Sequence, residues 1–365
     1  MVCRYPHDGL PLSRPISYGL VSGRPSPAPQ PAQFMKASAA GTYINWRLVP
    51  DVNIFYDRGI YVEGSKVRFV VDPTGPIKGS VDFVLVTHGH SDHMSRHVLR
   101  HKVVATPETF VAMSLRLGGV PTRRVAAASG SVVEVEGVQV AVVEAGHILG
   151  SVMYLVEMEG VQILFTGDFN TTGTILTDAA EPVERPDVLV METTYGDPAY
   201  VFPNRAELYD ELLDVVEKHA GNGGVAIAAY PLGKAQEVSK LLGPRAGAHP
   251  SVAKYNRAFG IPTGAGADVL VVPSLRSAPS RYFKVEVSGW YAEGHVRRRA
   301  AQEGIYGIPL SDHSDFPSLV EFVHETSPRL VYTVYGFSEK FARYLRRLGL
   351  RAYTIPGAAG LTRFF

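Results

Sequence analysis

The chain has 365 residues, 45% of them hydrophobic and 19% charged, with a formal net charge of +1. That length suggests about two domains with a sizeable core, and the balanced charge excludes a global pull toward polyanions, so any affinity for nucleic acid must come from local patches. The single cysteine, Cys3, excludes a disulfide framework and points to a reducing, cytoplasmic setting, while no apolar run approaches the ~18 residues of a membrane helix and the opening Met-Val-Cys-Arg-Tyr-Pro lacks the apolar core of a secretory signal.

Residues 1–34 carry Pro6, Pro11, Pro15, Pro25, Pro27, Pro29 and Pro31 with almost no apolar period. They read as a disordered, proline-rich tail, and Met35 offers an alternative start. The folded body is expected from about Tyr43. Lys66–Val71 and Asp82–Thr87 read as strands, and Val132–Val143 alternates about Glu136-Gly137 as a hairpin. Val152–Val156 with Val161–Phe165 forms another strand pair, and Asp187–Met191 is strand-like. Arg205–Lys218 is an amphipathic helix, Val225–Ala229 a strand, and Lys234–Leu242 a helix after the Pro231-Leu-Gly233 turn. Asp268–Val272, Tyr282–Val287 and Leu330–Val334 complete the strands, with helices over Phe316–Glu325 and Ser338–Leu348. Hairpins come early and strand–helix alternation later, which predicts a layered α/β (α+β) protein with mixed sheets.

The densest chemistry follows the second strand. Val86-Thr-His-Gly-His-Ser-Asp-His93 places His88, His90, Asp92 and His93 at a strand end and its turn. Imidazole and carboxylate are ligand types that Zn²⁺ accepts. Further candidates close other strands: His147 between Gly146 and Gly150, Asp168 after Phe165-Thr-Gly, and Asp72 after Val70-Val71. We assign His88, His90 and His147 to one zinc. Asp92 and His93 are assigned to a second, with Asp168 bridging and Asp72 fixing a ligand imidazole. Two bridged ions can activate one water and polarise a phosphoryl or acyl group.

The order His-x-His-x-Asp-His, distal His between glycines, then Gly-Asp resembles the metallo-β-lactamase superfamily. Met191-Glu-Thr-Thr-Tyr-Gly196 and Leu310-Ser-Asp-His-Ser-Asp315 resemble the added motifs of its β-CASP nucleases, as do Tyr230-Pro-Leu-Gly-Lys-Ala-Gln-Glu237 and Val287-Ser-Gly-Trp290. The likeness spans about residues 40–355 and is nearest the ligase-associated exonuclease and mRNA 3′-end processing branch. It implies an αββα sandwich with an inserted small α/β cap: core over 35–198 and 308–365, cap over 199–307. It also implies Glu192 as the acid that orients His313, and His313 as the general acid that protonates the leaving oxygen. The family's last ligand is a histidine in a Val-x-His-Gly context, where this chain has Val334-Tyr335-Gly336. A neutral phenol is a poor zinc ligand, so the second ion is expected to bind more weakly, with manganese as a substitute.

The expected function is therefore a zinc-dependent phosphodiesterase, an exonuclease on single-stranded DNA ends that uses a metal-bound hydroxide with Asp92, Asp72, Glu192 and His313 in its machinery. Nucleic acid is the expected partner, DNA before RNA, with a DNA ligase or helicase as a protein partner. The alternatives are an RNA 3′-end processing ribonuclease, a small-ester or thioester hydrolase, and a silent nucleic-acid-binding subunit. Ser311, Ser314, Lys234 and Tyr335 are candidate substrate contacts; the serines equally suit turn capping before Phe316, and Lys234 opens a helix whose N-terminus suits a phosphate.

Overall fold

The structure, a computed structural model, describes residues 52–265 and 268–357. The tail expected over 1–34 and the start of the body near Tyr43 lie outside the described residues.

The first sheet runs in simple order: β1 (Asn53–Tyr56), β2 (Ile60–Glu63), β3 (Arg68–Val71), β4 (Phe83–Leu85), β5 (Val103–Ala105) and, after helix α1 (Pro107–Leu117), β6 (Arg124–Ala126). It starts antiparallel and becomes parallel from β3 onward. Ile60, Tyr61 and Val62 are all buried, as are Phe69, Val70 and Val71, because both faces of this sheet are covered.

The second sheet begins with β7 (Val132–Val135), β8 (Val138–Glu144), β9 (Val152–Met158), β10 (Val161–Phe165) and β11 (Val188–Glu192). The hairpins turn at Glu136-Gly137 and Glu159-Gly160, all four residues at positive φ, the two-residue geometry whose twist matches the flanking strands.

The chain then leaves the sandwich. Helix α2 (Arg205–Ala220), β12 (Val225–Ala228), α3 (Lys234–Leu242), β13 (Gly247–Ala248), α4 (Pro250–Ala258), β14 (Val269–Val272), β15 (Phe283–Val287), α5 (Gly294–Gln302) and β16 (Ile305–Ile308) build a third, wholly parallel sheet in the order β13-β14-β12-β15-β16. It has its own core, where Leu208, Leu212 and Val216 of α2 meet Val225, Ile227 and Val285. The chain returns through α6 (Phe316–Thr326), β17 (Leu330–Val334), α7 (Ser338–Arg347) and β18 (Ala352–Thr354), and β17 pairs in parallel with β11. The inserted unit thus interrupts the second sheet.

Between the two large sheets lies the main core. Phe69 and Phe83 stack at 4.8 Å, and Phe165 of the facing sheet meets Phe69 edge-on at 6.2 Å. Phe110 and Met113 of α1 cover the outer face of the first sheet. Leu319 and Phe322 of α6, with Phe341 and Leu345 of α7, cover that of the second. The layers run helix, sheet, sheet, helix, the expected αββα sandwich with an α/β insertion. Among the described residues no helix is long and apolar enough to cross a membrane.

Candidate metal centre

Six strand ends meet at one edge of the sandwich: β3 delivers Asp72, β4 His88, His90 and His93, β8 His147, β10 Asp168, β11 Glu192 and β17 Tyr335. Carboxyl ends of strands are where layered α/β sheets present ligand sites. The backbone there is bent: Asp72 and Tyr335 sit at φ +49 and +59, a left-handed geometry that costs a residue with a Cβ of order 1–3 kcal/mol. A Cβ at Gly167 (φ +53) would lie 2.5 Å from the Thr87 hydroxyl, so glycine lets Asp168 approach the first sheet.

His88, His93 and His147 aim at the Asp168 carboxylate over 3.5, 3.3 and 3.7 Å, and His147 Nε2 lies 3.2 Å from His90 Nδ1. Each ring is pinned from behind. His147 Nδ1 donates to the Asp312 carbonyl at 2.7 Å, and His90 Nε2 to the Leu232 carbonyl at 2.8 Å. His93 Nδ1 donates to Asp72 at 2.9 Å. The Thr87 hydroxyl gives its single proton to Asp72 at 2.6 Å and so accepts from His88 Nδ1 at 3.0 Å. The imidazoles of His88, His90 and His147 therefore turn a bare lone pair inward, and His93 turns its Nε2 to Asp168 at 3.3 Å. Facing acceptors at 3.2–3.7 Å, with His88 Nε2 buried and unpartnered, call for a cation between them. The donor set fits a divalent metal bound by imidazole and carboxylate. Among the described residues four groups lie within ligand distance: His88-His90-His147-Asp168, Asp72-His88-His93, His147-Asp312-His313 and Asp168-Glu192-His313.

The electrostatics agree. Burial, then the neighbouring His93, holds His88 far below the ordinary imidazole range. Burial, then His313, takes His147 down to about 3. For His93, burial is outweighed by Asp168 and Asp72, which raise it well above that range. Burial is likewise outweighed at Asp168, where His93 and His313 hold the carboxyl far down. The centre thus keeps the Asp168 carboxylate ionised.

Beside it, His313 Nδ1 donates to Glu192 at 2.8 Å, and His313 Nε2 stands 4.0 Å from Asp168. Burial lowers the imidazolium, but Glu192 and then Asp168 raise it further, to about 9. Glu192 Oε2 is held by the Thr194 amide at 2.8 Å. The pair opens on a cavity of about 480 Å³ between sandwich and insertion, lined by His90, His93, Tyr230, Lys234, Trp290 and Tyr335 among others.

Not every expected residue joins the cluster. The turn that closes from the His93 amide to the His90 carbonyl swings His93 inward and leaves Asp92 exposed on the cavity wall, in none of the four ligand groups. The carboxylates that meet His93 are Asp168 and Asp72 instead. Tyr335 packs 5.1 Å from the His93 ring, its hydroxyl buried and unpartnered. Lys234 is not a free phosphate holder, because it pairs with buried Asp312. Ser311 and Ser314 are buried; one hydroxyl accepts from the His313 amide at 3.0 Å, the other from the Thr171 amide at 3.1 Å. They brace the His313 loop and line a second cavity rather than the first. Sequence reasoning missed Asp312, Thr87 and the Leu232 carbonyl. Asp312 carried the only available signal, its place inside the Ser-Asp-His-Ser motif.

Comparison with known proteins gives the same picture. Residues 59–204 match the family model described as "Beta-lactamase superfamily domain". A protein named "Probable DNA ligase" from Opitutus terrae is 28% identical over 328 residues, 83% of this chain and 31% of that protein. "RNase aCSPSF2" from Saccharolobus solfataricus is 33% identical over 53% of this chain and 44% of its own length. "Endoribonuclease ysh1" from Schizosaccharomyces pombe is 43% identical over 31% of this chain and 15% of its own. The chain thus spans less than half the length of each. A crystal structure of a protein of unknown function from Enterococcus faecalis shares the fold, with a TM-score of 0.55 at 14% identity over 79% of this chain and 94% of that one. Fold, buried ligand cluster and relatives agree: residues 59–204 carry a metallo-β-lactamase superfamily domain, and the chain is similar to proteins named as nucleases and as a DNA ligase.

Proposed function

We propose that the chain is a metal-dependent phosphodiesterase that cleaves nucleic acid, acting as an exonuclease on single-stranded DNA ends. The observation that carries this reading is the pairing of a buried cluster of four imidazoles, two of which (His90 and His93) line the cavity, with a Glu192–His313 couple whose His313 lines the same space. In this reading His88, His90, His147 and Asp168 would hold a first zinc, and His93 would help hold a second, weaker one beside Tyr335, a neutral phenol where a ligand imidazole is expected. Such ions supply Lewis acidity at a phosphoryl oxygen and acidify a water.

The protein's own groups do the rest. Thr87, Leu232 and the Asp312 carbonyl fix the tautomers of His88, His90 and His147, and Asp72 that of His93. His313, charged at neutral pH with a pKa of about 9, gives its Nε2 proton to the leaving sugar oxygen as the P–O bond breaks, while the attacking water bonds its hydroxyl to phosphorus and releases its other proton to solvent, from which His313 is recharged. Glu192 keeps that proton aimed into the cavity. Segment 199–307 would act as the cap that closes over a strand between core segments 35–198 and 308–365. The match across most of this chain to a protein named as a DNA ligase supports DNA ends as substrate and a ligase as partner. The relatives named as ribonucleases support the second reading, RNA 3′-end processing.

The test is cleavage of matched end-labelled single-stranded DNA and RNA in Zn²⁺ and Mn²⁺, with wild type, His88→Ala, Asp168→Ala and His313→Ala. DNA laddering from one end, abolished by the first two variants and crippled by the third, is expected. Preference for RNA moves the protein to RNA processing, and inertness toward both overturns the nuclease reading.

A further inference from the structure

His313 separates two cavities. The second, of about 360 Å³, lies away from the metal ligands and is lined by Asn170, Thr172, Asn204, Arg205, Asp315 and Ser318, with Ser311 and Ser314 at its His313 wall. Its buried polar groups are incomplete. Asn170 is wholly buried; its Oδ1 accepts from the Thr172 amide at 3.0 Å and hydroxyl at 2.7 Å, yet its Nδ2 has no acceptor. Arg205 spends its terminal nitrogens on Glu237 and the Ser311 carbonyl, but its buried Nε has no acceptor either. Buried donors are rarely left unmet, because a donor stripped of water without an acceptor destabilises the fold. Two more positive ends converge here: α2 starts at Arg205 and α6 at Phe316, capped by Asn204 and Asp315. The one carboxylate on the wall, Asp315, already gives its oxygens to the Phe202 and Ser318 amides. What is missing is an acceptor-rich, anionic group.

We propose that this cavity is a second anion site that holds a phosphomonoester, the terminal phosphate of a nucleotide, on the far side of His313 from the metal centre. Its anion preference rests on the donors alone; the choice of a nucleotide rests on the nuclease reading above. The volume is in the range of small-molecule sites and exceeds what a bare phosphate needs.

Calorimetric titration of the full chain, stripped of metal by chelation, tests this without turnover. The probes are inorganic phosphate, adenosine monophosphate and adenosine. The variants are Asn170→Asp, which keeps the acceptor for Thr172 but replaces the free donor with an oxygen, and Ser318→Glu, which puts a carboxylate into the cavity at a helix position that favours glutamate. Unchanged melting curves check the fold, and Tyr230→Ala serves as a control in the metal-side cavity. Phosphate and the monophosphate should bind, adenosine should not, and each variant should weaken binding by at least about tenfold while Tyr230→Ala leaves it intact. Phosphate without the monophosphate would replace the nucleotide with a free ion and overturn that half of the proposal. No anion binding, or binding lost only in Tyr230→Ala, overturns it entirely. Because cleavage is never read, an inert enzyme that still binds phosphate sinks the nuclease reading alone, and an active enzyme that binds none sinks the second site alone.

Discussion

His313 shows how one side chain depends on its neighbours. Its pKa of about 9 lies above the ~6.5 of a free imidazole, so the fold prefers the charged ring. That preference contributes full stability below about pH 6.5 and fades as pH rises through about 9. In the metal-free protein, urea midpoints for wild type and His313→Gln should therefore differ at pH 6 and converge toward pH 10. A constant gap would mean the ring is not charged in the fold. Under the proposed chemistry, Glu192→Gln removes the largest raising influence on His313, and the alkaline limb of the pH–rate profile should move to lower pH. His313→Ala should cost a hundredfold or more, roughly the worth of a general acid. Tyr335 is the other telling residue. Its buried hydroxyl has no partner, and burial, followed by Asp72, pushes its pKa far up, so it stays a neutral phenol. Tyr335→His should raise the metal retained after dialysis, measured by elemental analysis, toward two ions per chain; unchanged stoichiometry would show that this position does not limit the second ion. The histidines were legible in the sequence because ligand types at strand ends are a chemical pattern. The outward turn of Asp92 was not, because one backbone bond between His93 and His90 decides it.

At the level of elements, the turn between β12 and α3 is where the insertion grips the sandwich. Its Leu232 carbonyl holds His90, and Gly233 follows at φ +102, where a Cβ would lie 2.5 Å from Ile148 and 3.0 Å from Asp312. Gly233→Ala should destabilise the protein by about 1–3 kcal/mol from strain and overlap and should also weaken metal affinity, since the clamp on His90 shifts. Loss of stability with metal affinity intact would separate the turn from the centre. Strands and helices with a clear period, such as β7–β8 and Arg205–Ala220, were readable. Helix α1 was not read, although Thr106 caps it, Pro107 opens it and Gly118 ends it; it lies between very short strands, and its buried residues make a weak stripe. Strands β1 and β2 are four residues each, too short for alternation to stand out.

Across the whole molecule, the contacts between insertion and sandwich cluster at the cavity: His90 with Leu232, Lys234 with Asp312, Ser91 with Tyr230 at 3.1 Å. Lys234→Met would leave the buried Asp312 carboxylate without its lysine and with only the His313 ring at 3.9 Å, a loss on the order of 3 kcal/mol. Thermal unfolding should fall by many degrees, and Asp312→Asn added to it should recover much of the loss. The overall architecture was foreseeable because hairpins preceded strand–helix alternation and two motif blocks bracketed a long segment. The second cavity was invisible, since nothing local in the sequence marks which donors end without acceptors.

The interruption of the second sheet also sets an order on biosynthesis. A ribosome releases β11 well before β17, and the entire insertion emerges between them. During that interval β11 presents an open, apolar edge, the kind of surface that invites pairing with other chains, and the parallel strand that covers it arrives only after the whole insertion. The insertion has a core of its own and can fold while it waits. Slow translation through residues 193–329 should thus favour aggregation of nascent chains, and a faster passage, or a chaperone that shields the β11 edge, should raise the yield of intact protein.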